Sequence, residues 1–283
     1  MRSAQPRQPL LRSLVRATRG LFRKSADEAL PVHPDQSAFL FQLDRDVGER
    51  YRTLGWMMDQ LRQKQPFQVV TVTSSMASEG KSTVAVNLAA VLVERASYRV
   101  LLIDCDLRRP RLKDLLGDHH PALQELLEGR CSFDEALHYA EELGVYFIPA
   151  AGPADEPLKL LASSTGLERV LSEARKQFDY IILDSPPVLP VSDPLLLSEA
   201  ADAVLFVVRA GETSGRMLSR ALSLLKKDKL LGIVFNGTAR GRGYGYDPYY
   251  RRYAEGREYA RYHSVSGRGP RRGSYHGRGW DRD

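Results

Sequence analysis

The sequence predicts an α/β protein whose core is a doubly wound, mostly parallel sheet. Short aliphatic segments alternate with helical segments along most of the 283 residues, which is typical of a parallel sheet covered by helices on both faces. The predicted strands are almost continuously apolar, as burial on both faces requires. Ligands bind such sheets outside the carboxyl ends of the strands, so we expect the functional residues just after positions 73, 103, 183 and 235.

The individual elements follow from local patterns. Apolar residues recur at helical spacing over 49–64, which predicts an amphipathic helix that ends before Pro66. A helix over 81–95 is apolar almost all round and therefore belongs inside the core. The other predicted strands cover 68–73, 99–103, 145–148, 180–183, 203–208 and 231–235, and the other helical segments cover 122–128, 133–142, 166–177 and 214–227.

Composition excludes several classes of protein. Hydrophobic residues make up 43% of the chain and charged residues 27%, which is typical of a globular protein rather than a disordered or membrane-embedded one. No apolar stretch approaches the roughly 18–20 residues needed to cross a bilayer, and we expect no secretory signal. Cys105 and Cys131 are the only cysteines, too few for a disulfide framework or a structural zinc site. We therefore expect a cytoplasmic protein.

Charge divides the chain into three parts. Residues 1–26 carry seven basic residues and no acidic one, and residues 238–283 carry eleven arginines and five acidic residues. The residues between them have a net charge of −7, although the whole chain has +6. We predict a basic N-terminal arm over 1–40, a globular domain over 41–237 and a basic tail over 238–283. Basic arms attract anionic partners.

The N-terminal arm has two interpretations. Leucines and arginines recur at helix-like spacing between Leu10 and Arg23, which favours an amphipathic helix that contacts a membrane surface or a partner. The alternative is a disordered leader whose apolar residues fall at this spacing by chance.

A phosphate-binding loop follows the first predicted strand. Residues 74–83, SSMASEGKST, contain the Gly-Lys-Ser pattern, in which backbone N–H groups and a helix N-terminus bind phosphate. Lys81 would lie near the β- and γ-phosphates of ATP, and Ser82 would offer its hydroxyl to Mg²⁺. The strict pattern has glycine where this chain has Ser75, but the position between a buried strand and a buried helix predicts a P-loop NTPase-like fold. The alternative is a helix start without a ligand. The predicted nucleotide-binding residues of the loop are Ser78, Glu79, Gly80, Lys81, Ser82 and Thr83.

Three carboxylates follow two other predicted strands. Asp104 and Asp106 come directly after one strand, and Asp184 follows another. If these strands are parallel neighbours of the first, the carboxylates share a crevice with Lys81, and Asp184 is placed to hold Mg²⁺. An additional carboxylate can accept a proton from an attacking hydroxyl. The alternative, strongest for Asp106, is a structural role in capping a loop or pairing with a neighbouring arginine.

A basic loop comes directly after these carboxylates. It contains Arg108, Arg109 and Arg111, and Pro110 prevents a helix there. The loop either steers an anionic substrate or contacts a partner, or it is simply solvated.

The C-terminal tail is rich in tyrosine, arginine and glycine. It shows no helix or strand periodicity, so we expect disorder, and a flexible chain of this length spans roughly 35–40 Å, enough to reach its own crevice or that of a neighbour. The tail either accepts phosphoryl groups or stacks on single-stranded nucleic acid. Its tyrosines, the predicted phosphoryl acceptors, are Tyr244, Tyr246, Tyr249, Tyr250, Tyr253, Tyr259, Tyr262 and Tyr275.

Together these motifs resemble those of the bacterial tyrosine kinases of capsule and exopolysaccharide systems, a branch of the P-loop ATPases related to the MinD/ParA group. The resemblance runs from about Glu49 to the C-terminus. SSMASEGKST resembles the phosphate loop of that family, VLLIDCDLRRPRL its second acidic motif and DYIILDSPPVLPVSD its third. VLFVVRAGETS and GIVFNGT match its last strands, and a tyrosine cluster ends the family's chains.

This resemblance implies a protein-tyrosine autokinase that uses ATP and Mg²⁺. Lys81 and Ser82 would bind ATP and the metal. Asp104 and Asp106 would activate the tyrosine hydroxyl, and Asp104 and Asp184 would hold the metal. The tail tyrosines would be phosphorylated mostly between neighbours in a ring.

The resemblance also implies ligand contacts and partners. Asn236 would lie near the adenine of ATP. We expect a transmembrane activator of the polysaccharide co-polymerase type, recruitment to the inner face of the cell membrane, a counteracting phosphotyrosine phosphatase and a homo-oligomer, but not nucleic acid. The chain departs from the family where Ala77-Ser78 replaces Pro-Gly, and where Gly55 replaces an arginine of the oligomerisation helix.

The main hypothesis is therefore an autokinase that regulates polysaccharide synthesis or export. A tyrosine hydroxyl has a pKa near ~10, so a carboxylate must take its proton, while Lys81 and Mg²⁺ neutralise the charge on the phosphates. The rival hypotheses are a MinD/ParA-type ATPase switch whose basic tail binds nucleic acid, and a catalytically inactive scaffold of the same fold.

Overall fold

The computed structural model describes residues 45–117, 119–163 and 166–237, which form one sheet with helices on both faces. The N-terminal arm, the tail and the features predicted in them lie outside the described residues. The strands are β1 (Val69–Ser74), β2 (Val100–Asp104), β3 (His138–Ala140), β4 (Val145–Ile148), β5 (Tyr180–Asp184), β6 (Ala203–Arg209) and β7 (Leu230–Asn236). The helices are α1 (Arg45–Lys64), α2 (Lys81–Ala96), α3 (Leu112–Leu116), α4 (Leu123–Leu127), α5 (Phe133–Ala136), α6 (Pro157–Ala162), α7 (Gly166–Gln177), α8 (Asp193–Ala200) and α9 (Gly215–Leu222), and a 3₁₀ turn covers Lys227–Lys229.

The sheet confirms the predicted doubly wound, mostly parallel architecture. Its seven strands lie in the order β3-β4-β2-β5-β1-β6-β7, and every neighbouring pair is parallel except β3 with β4. The central strands β1, β2 and β5 are buried along their whole length, because helices cover them on both sides. Each predicted strand is present within one or two residues.

Helix α2 lies inside the molecule, as its uniformly apolar sequence predicts. Ten of its sixteen residues are buried, since the sheet covers one side and α1 covers the other. The apolar side of α1 packs here through Leu54, Met58 and Leu61. This arrangement fixes the start of α2, where Lys81 stands, against the middle of the sheet.

Some elements differ from the prediction. The helix predicted over 133–142 is wrong in its second half, because α5 ends at Ala136 and His138–Ala140 pairs with β4 as an antiparallel edge strand. The helix predicted over 214–227 ends already at Leu222. The sequence analysis did not predict helices α3, α6 and α8. In the ranges described, no helix combines the length and apolar character needed to span a bilayer.

Candidate active site

The carboxyl ends of the central strands bring the predicted site residues together. Strand β5 lies between β1 and β2, and Asp184 stands directly beside Asp104 in the register of β2 and β5. Asp184 is also paired in register with Val72, two residues before the end of β1. The loop that follows β1 therefore rises next to both carboxylates, as the topology of a parallel sheet requires.

The loop between β1 and α2 depends on two residues with left-handed backbone. Gly80 has φ +92° and forms the N-cap of α2, and Ser78 has φ +66°. The side-chain amide of Asn236 donates to the carbonyl of Glu79 at 3.0 Å and fills the space that a Cβ on Gly80 would need. Glycine is thus required at position 80 both by its backbone angle and by this contact.

The Glu79 carboxylate accepts hydrogen bonds from within the phosphate loop and from a second loop. It is buried, accepts the backbone N–H of Met76 at 2.7 Å and also accepts the hydroxyl of Thr213. That hydroxyl in turn accepts the backbone N–H of Arg209 at the end of β6. Glu79 was predicted to bind nucleotide, and here its side chain ties the phosphate loop to the loop after β6. Thr213 was not predicted, because only the fold brings it to this edge.

Lys81 sits among the carboxylates rather than in solvent. Only 7% of its surface is exposed, and the same holds for Asp106, while Asp104 and Asp184 are fully buried. The positive charge of Lys81 lowers the pKa of both Asp106 and Asp184. The site therefore combines one cation with three carboxylates in a region from which water is largely excluded.

Asp184 is the most unusual of these groups. Burial raises its pKa to about 7, although the charge of Lys81 and the nearby hydroxyl of Ser82 act in the opposite direction. Neither of its carboxylate oxygens has a hydrogen-bond partner in the part of the chain that the structure describes. A buried carboxylate without partners is costly, so this position is suited to a cation.

Asp104 is held firmly by backbone groups. Its Oδ2 accepts the N–H groups of Arg111 and Leu112, both at 3.0 Å, and its Oδ1 accepts that of Asp106 at 3.2 Å. Burial and the adjacent Asp184 nevertheless raise its pKa well above the ordinary value. Asp104 therefore shapes the loop after β2 as well as contributing charge to the site.

Asp106 caps the loop that follows it, in line with one form of the structural alternative, but it forms no salt bridge with an arginine among the described residues. Asp106 accepts the backbone N–H of Arg109 at 3.0 Å, whereas the Arg108 side chain forms a salt bridge with Asp193 at 2.7 Å. Burial raises the pKa of Asp106, and the Arg109 N–H and Lys81 lower it. Neither the Arg108–Asp193 pair nor the role of Asp193 was predicted, since Asp193 is 85 positions from Arg108 in the chain.

The residues present fit ATP and a divalent cation. In the described ranges no group of three histidine, cysteine or acidic side chains converges as a metal cage. Mg²⁺ does not need one, because it binds through one or two carboxylates together with phosphate and water. The unpartnered Asp184 and the neighbouring Ser82 hydroxyl meet that requirement.

A buried lysine at the start of a helix after a parallel strand, facing strand-end carboxylates, defines the class of P-loop ATPases. The family described as AAA domain matches residues 67–229, which cover the loop and all three aspartates. The chain thus has the fold of an ATP-binding ATPase.

The comparisons also show a narrower family within this class. The tyrosine-protein kinase YwqD of Bacillus subtilis (strain 168) is 32% identical over 203 residues, which cover 70% of this chain and 85% of that protein. The solved BceF tyrosine kinase domain is 31% identical with a TM-score of 0.63, covering 72% of this chain and 82% of that one. The chain belongs to the bacterial protein-tyrosine kinases, which confirms the predicted family and the predicted class of enzyme.

Some relatives are much longer than the matched region. The succinoglycan biosynthesis transport protein ExoP of Rhizobium meliloti (strain 1021) is 30% identical over 195 residues, which cover 67% of this chain but only 25% of that protein. These similarities favour the kinase hypothesis over an ATPase switch that binds nucleic acid.

Proposed function

We propose that this kinase transfers the γ-phosphoryl group of ATP to tyrosines in its own C-terminal tail, and that this modification regulates polysaccharide synthesis or export. The observation that carries the proposal is the group of Lys81 and three buried carboxylates at one sheet edge. The tail supplies acceptors, because eight tyrosines lie within residues 244–275 of the same chain. Phosphates added to this basic tail carry about −1.5 to −2 charges each, so extensive modification reverses its charge.

The carboxylates have different roles in this proposal. When bound, Mg²⁺ neutralises charge on the phosphates of ATP, and Asp184 with Ser82 is the best placed pair to hold it, with Asp104 beside them. Asp106 is the proposed base, because it keeps some exposure while Asp104 has none and is bonded on both oxygens. Its raised pKa brings it closer to that of a tyrosine, which favours proton transfer.

The place of action follows from the relatives and the charge pattern. ExoP is named as a transport protein of succinoglycan biosynthesis, and the N-terminal arm is strongly basic. These observations support recruitment to the inner face of the membrane by a transmembrane activator of the co-polymerase type. Oligomerisation and a counteracting phosphatase belong to the same proposal.

The decisive experiment compares wild type with two variants, Lys81→Met and Lys227→Met. Lys227 is an exposed lysine in the 3₁₀ turn before β7 and serves as the control position. Each full-length protein is incubated with ATP and Mg²⁺, and phosphotyrosine is located by mass spectrometry. We expect Lys81→Met to lose at least about 100-fold in rate, since it removes a charge that stabilises the transferred group. Lys227→Met should match wild type. The proposal would be contradicted if Lys81→Met formed phosphotyrosine as fast as wild type. It would also be contradicted if the wild-type protein carried no phosphotyrosine within residues 244–275.

A further inference from the structure

We propose that the basic loop after β2 forms a pocket for a phosphotyrosine side chain, so that an already phosphorylated tail segment docks beside the site that modifies it. This inference rests on the proposed function, because phosphotyrosine is its product. It adds a product-binding site whose lining contains no residue of the phosphate loop.

The observation is an open surface depression of about 430 Å³ at this loop. Its walls are fixed from behind. The Asp104 carboxylate holds the backbone N–H groups of Arg111 and Leu112, and Asp106 holds that of Arg109. Pro153 is held beside this loop through its neighbour Ala154, whose N–H donates to the carbonyl of Leu107 at 2.8 Å. The depression is lined by Arg108, Arg109, Pro110, Arg111, Lys113 and Pro153.

The charge of this pocket matches a phosphomonoester. Arg108 is neutralised by Asp193, and Arg111 pairs with Asp114. Arg109 and Lys113 form no salt bridge with any acidic residue that the structure describes. Two positive charges therefore remain for a ligand that carries about −1.5 to −2 at neutral pH.

The pocket also discriminates between modified and unmodified tail. The unmodified tail has a net charge of +6 and is repelled by the two free cations, whereas phosphorylated tyrosines attract them. The exposed ring of Pro153 offers an apolar wall for the aromatic ring that carries the phosphate. A tail held by its first phosphotyrosine keeps its remaining tyrosines near the catalytic carboxylates, which favours successive phosphorylation of one tail.

The test measures binding without turnover. Fluorescence anisotropy follows a labelled peptide of residues 254–264, with or without phosphate on Tyr259, as dephosphorylated full-length protein is added in the absence of ATP. We expect at least about tenfold tighter binding of the phosphopeptide, because hydrogen bonds between ionised groups are roughly twice as strong as neutral ones. Arg109→Gln with Lys113→Gln should abolish this preference. Arg216→Gln with Arg220→Gln, which removes the same charge from exposed positions of α9, should keep it.

Three outcomes with the peptides overturn the proposal. They are equal affinity for the two peptides, an undiminished preference in the double variant at Arg109 and Lys113, and displacement of the peptide by inorganic phosphate as readily as by phenyl phosphate, which would indicate a simple anion site. Tighter binding of oligothymidylate than of phosphopeptide would likewise contradict it. Because the assay needs no ATP, a negative result leaves the kinase function intact, and Lys81→Met can be inactive yet bind normally.

Discussion

At the scale of single residues, the charge of the Asp184 carboxylate is only partly compensated in the folded protein, by Lys81 and the nearby Ser82 hydroxyl. Asp184 is fully buried without a hydrogen-bond partner in the described part of the chain, and its pKa is raised to about 7. A carboxyl whose pKa is raised by folding stabilises the folded state in its protonated form. That contribution is complete at low pH and is lost as the pH rises through about 7.

We therefore expect Asp184→Asn to stabilise the metal-free protein at high pH while abolishing autophosphorylation. In EDTA at pH 8.5 the variant should exceed wild type by at least about 1 kcal/mol in the free energy of unfolding, measured with urea. The difference should shrink towards pH 5.5, where wild-type Asp184 is protonated. Asp155→Asn removes the same charge from an exposed position and should show no such pH dependence. A pH-independent difference at position 184 would argue against a buried charge.

Ser78 is a second residue that lowers the stability of the folded protein, because its φ of +66° lies in a region that is unfavourable for residues with a Cβ. Replacement by glycine should be neutral or stabilising by up to ~1 kcal/mol, and replacement by β-branched valine should destabilise by roughly 1–2 kcal/mol. Thermal unfolding measures both. Ala77 does not have a positive φ, so Ala77→Gly should instead destabilise by ~0.5–1 kcal/mol. Equal losses for the two glycine variants would refute this explanation.

At the scale of elements, polar contacts fix α1 to the sheet at the end opposite the active site. The Asp59 carboxylate accepts a hydrogen bond from the Tyr180 hydroxyl at 2.9 Å and forms a salt bridge with Arg95 of α2. Nearer the start of α1, Arg52 bridges Glu49 and Glu94. These contacts hold the helix against α2, whose first residue is Lys81, the proposed catalytic lysine.

Tyr180→Phe should accordingly destabilise the protein by about 1–2 kcal/mol, because it removes one partner of a buried charge. Autophosphorylation of the folded protein should be unchanged, since Tyr180 begins β5 and Asp184 ends it. Tyr146→Phe is a matched control, because the Tyr146 hydroxyl forms no hydrogen bond that the structure records among the described residues. Urea unfolding should separate the two variants, and equal effects would show that the Asp59 contact contributes nothing.

The same helix explains how the departure at Gly55 is accommodated. Gly55 is buried against α2, and a Cβ there would come within 3.4 Å of Val91. A larger side chain at this position would therefore start in contact with Val91 of α2. In this chain Glu49 and Arg52, the two residues of α1 that keep the pattern, bond to each other.

At the scale of the whole molecule, the sequence was sufficient to predict the elements that consist of apolar runs. Strands β1, β2, β5 and β6 and helix α2 are largely buried on both sides, so their composition alone identifies them. The edge strand His138–Ala140 was missed because its backbone bonds come from β4 and not from a local signal. Helix α3 was missed because its N–H groups are organised by Asp104, eight positions before Leu112.

The candidate site likewise has features that the sequence predicts and features that it does not. Parallel topology was sufficient to predict that Lys81, Asp104, Asp106 and Asp184 meet at one edge. The use of each group depends on partners that are distant in sequence, as when Thr213 engages Glu79 across 134 positions. A single sequence contains no signal for such a pairing.

The amide of Asn236 has a consequence for how the tail is controlled. Its nitrogen donates to the carbonyl of Glu79 in the phosphate loop, and its oxygen accepts the N–H of Gly237. One side chain thus joins the backbone of the phosphate loop to Gly237, the last described residue before the tyrosine-bearing segment. If nucleotide binding changes the shape of this loop, we expect this one amide to pass the change on to Gly237.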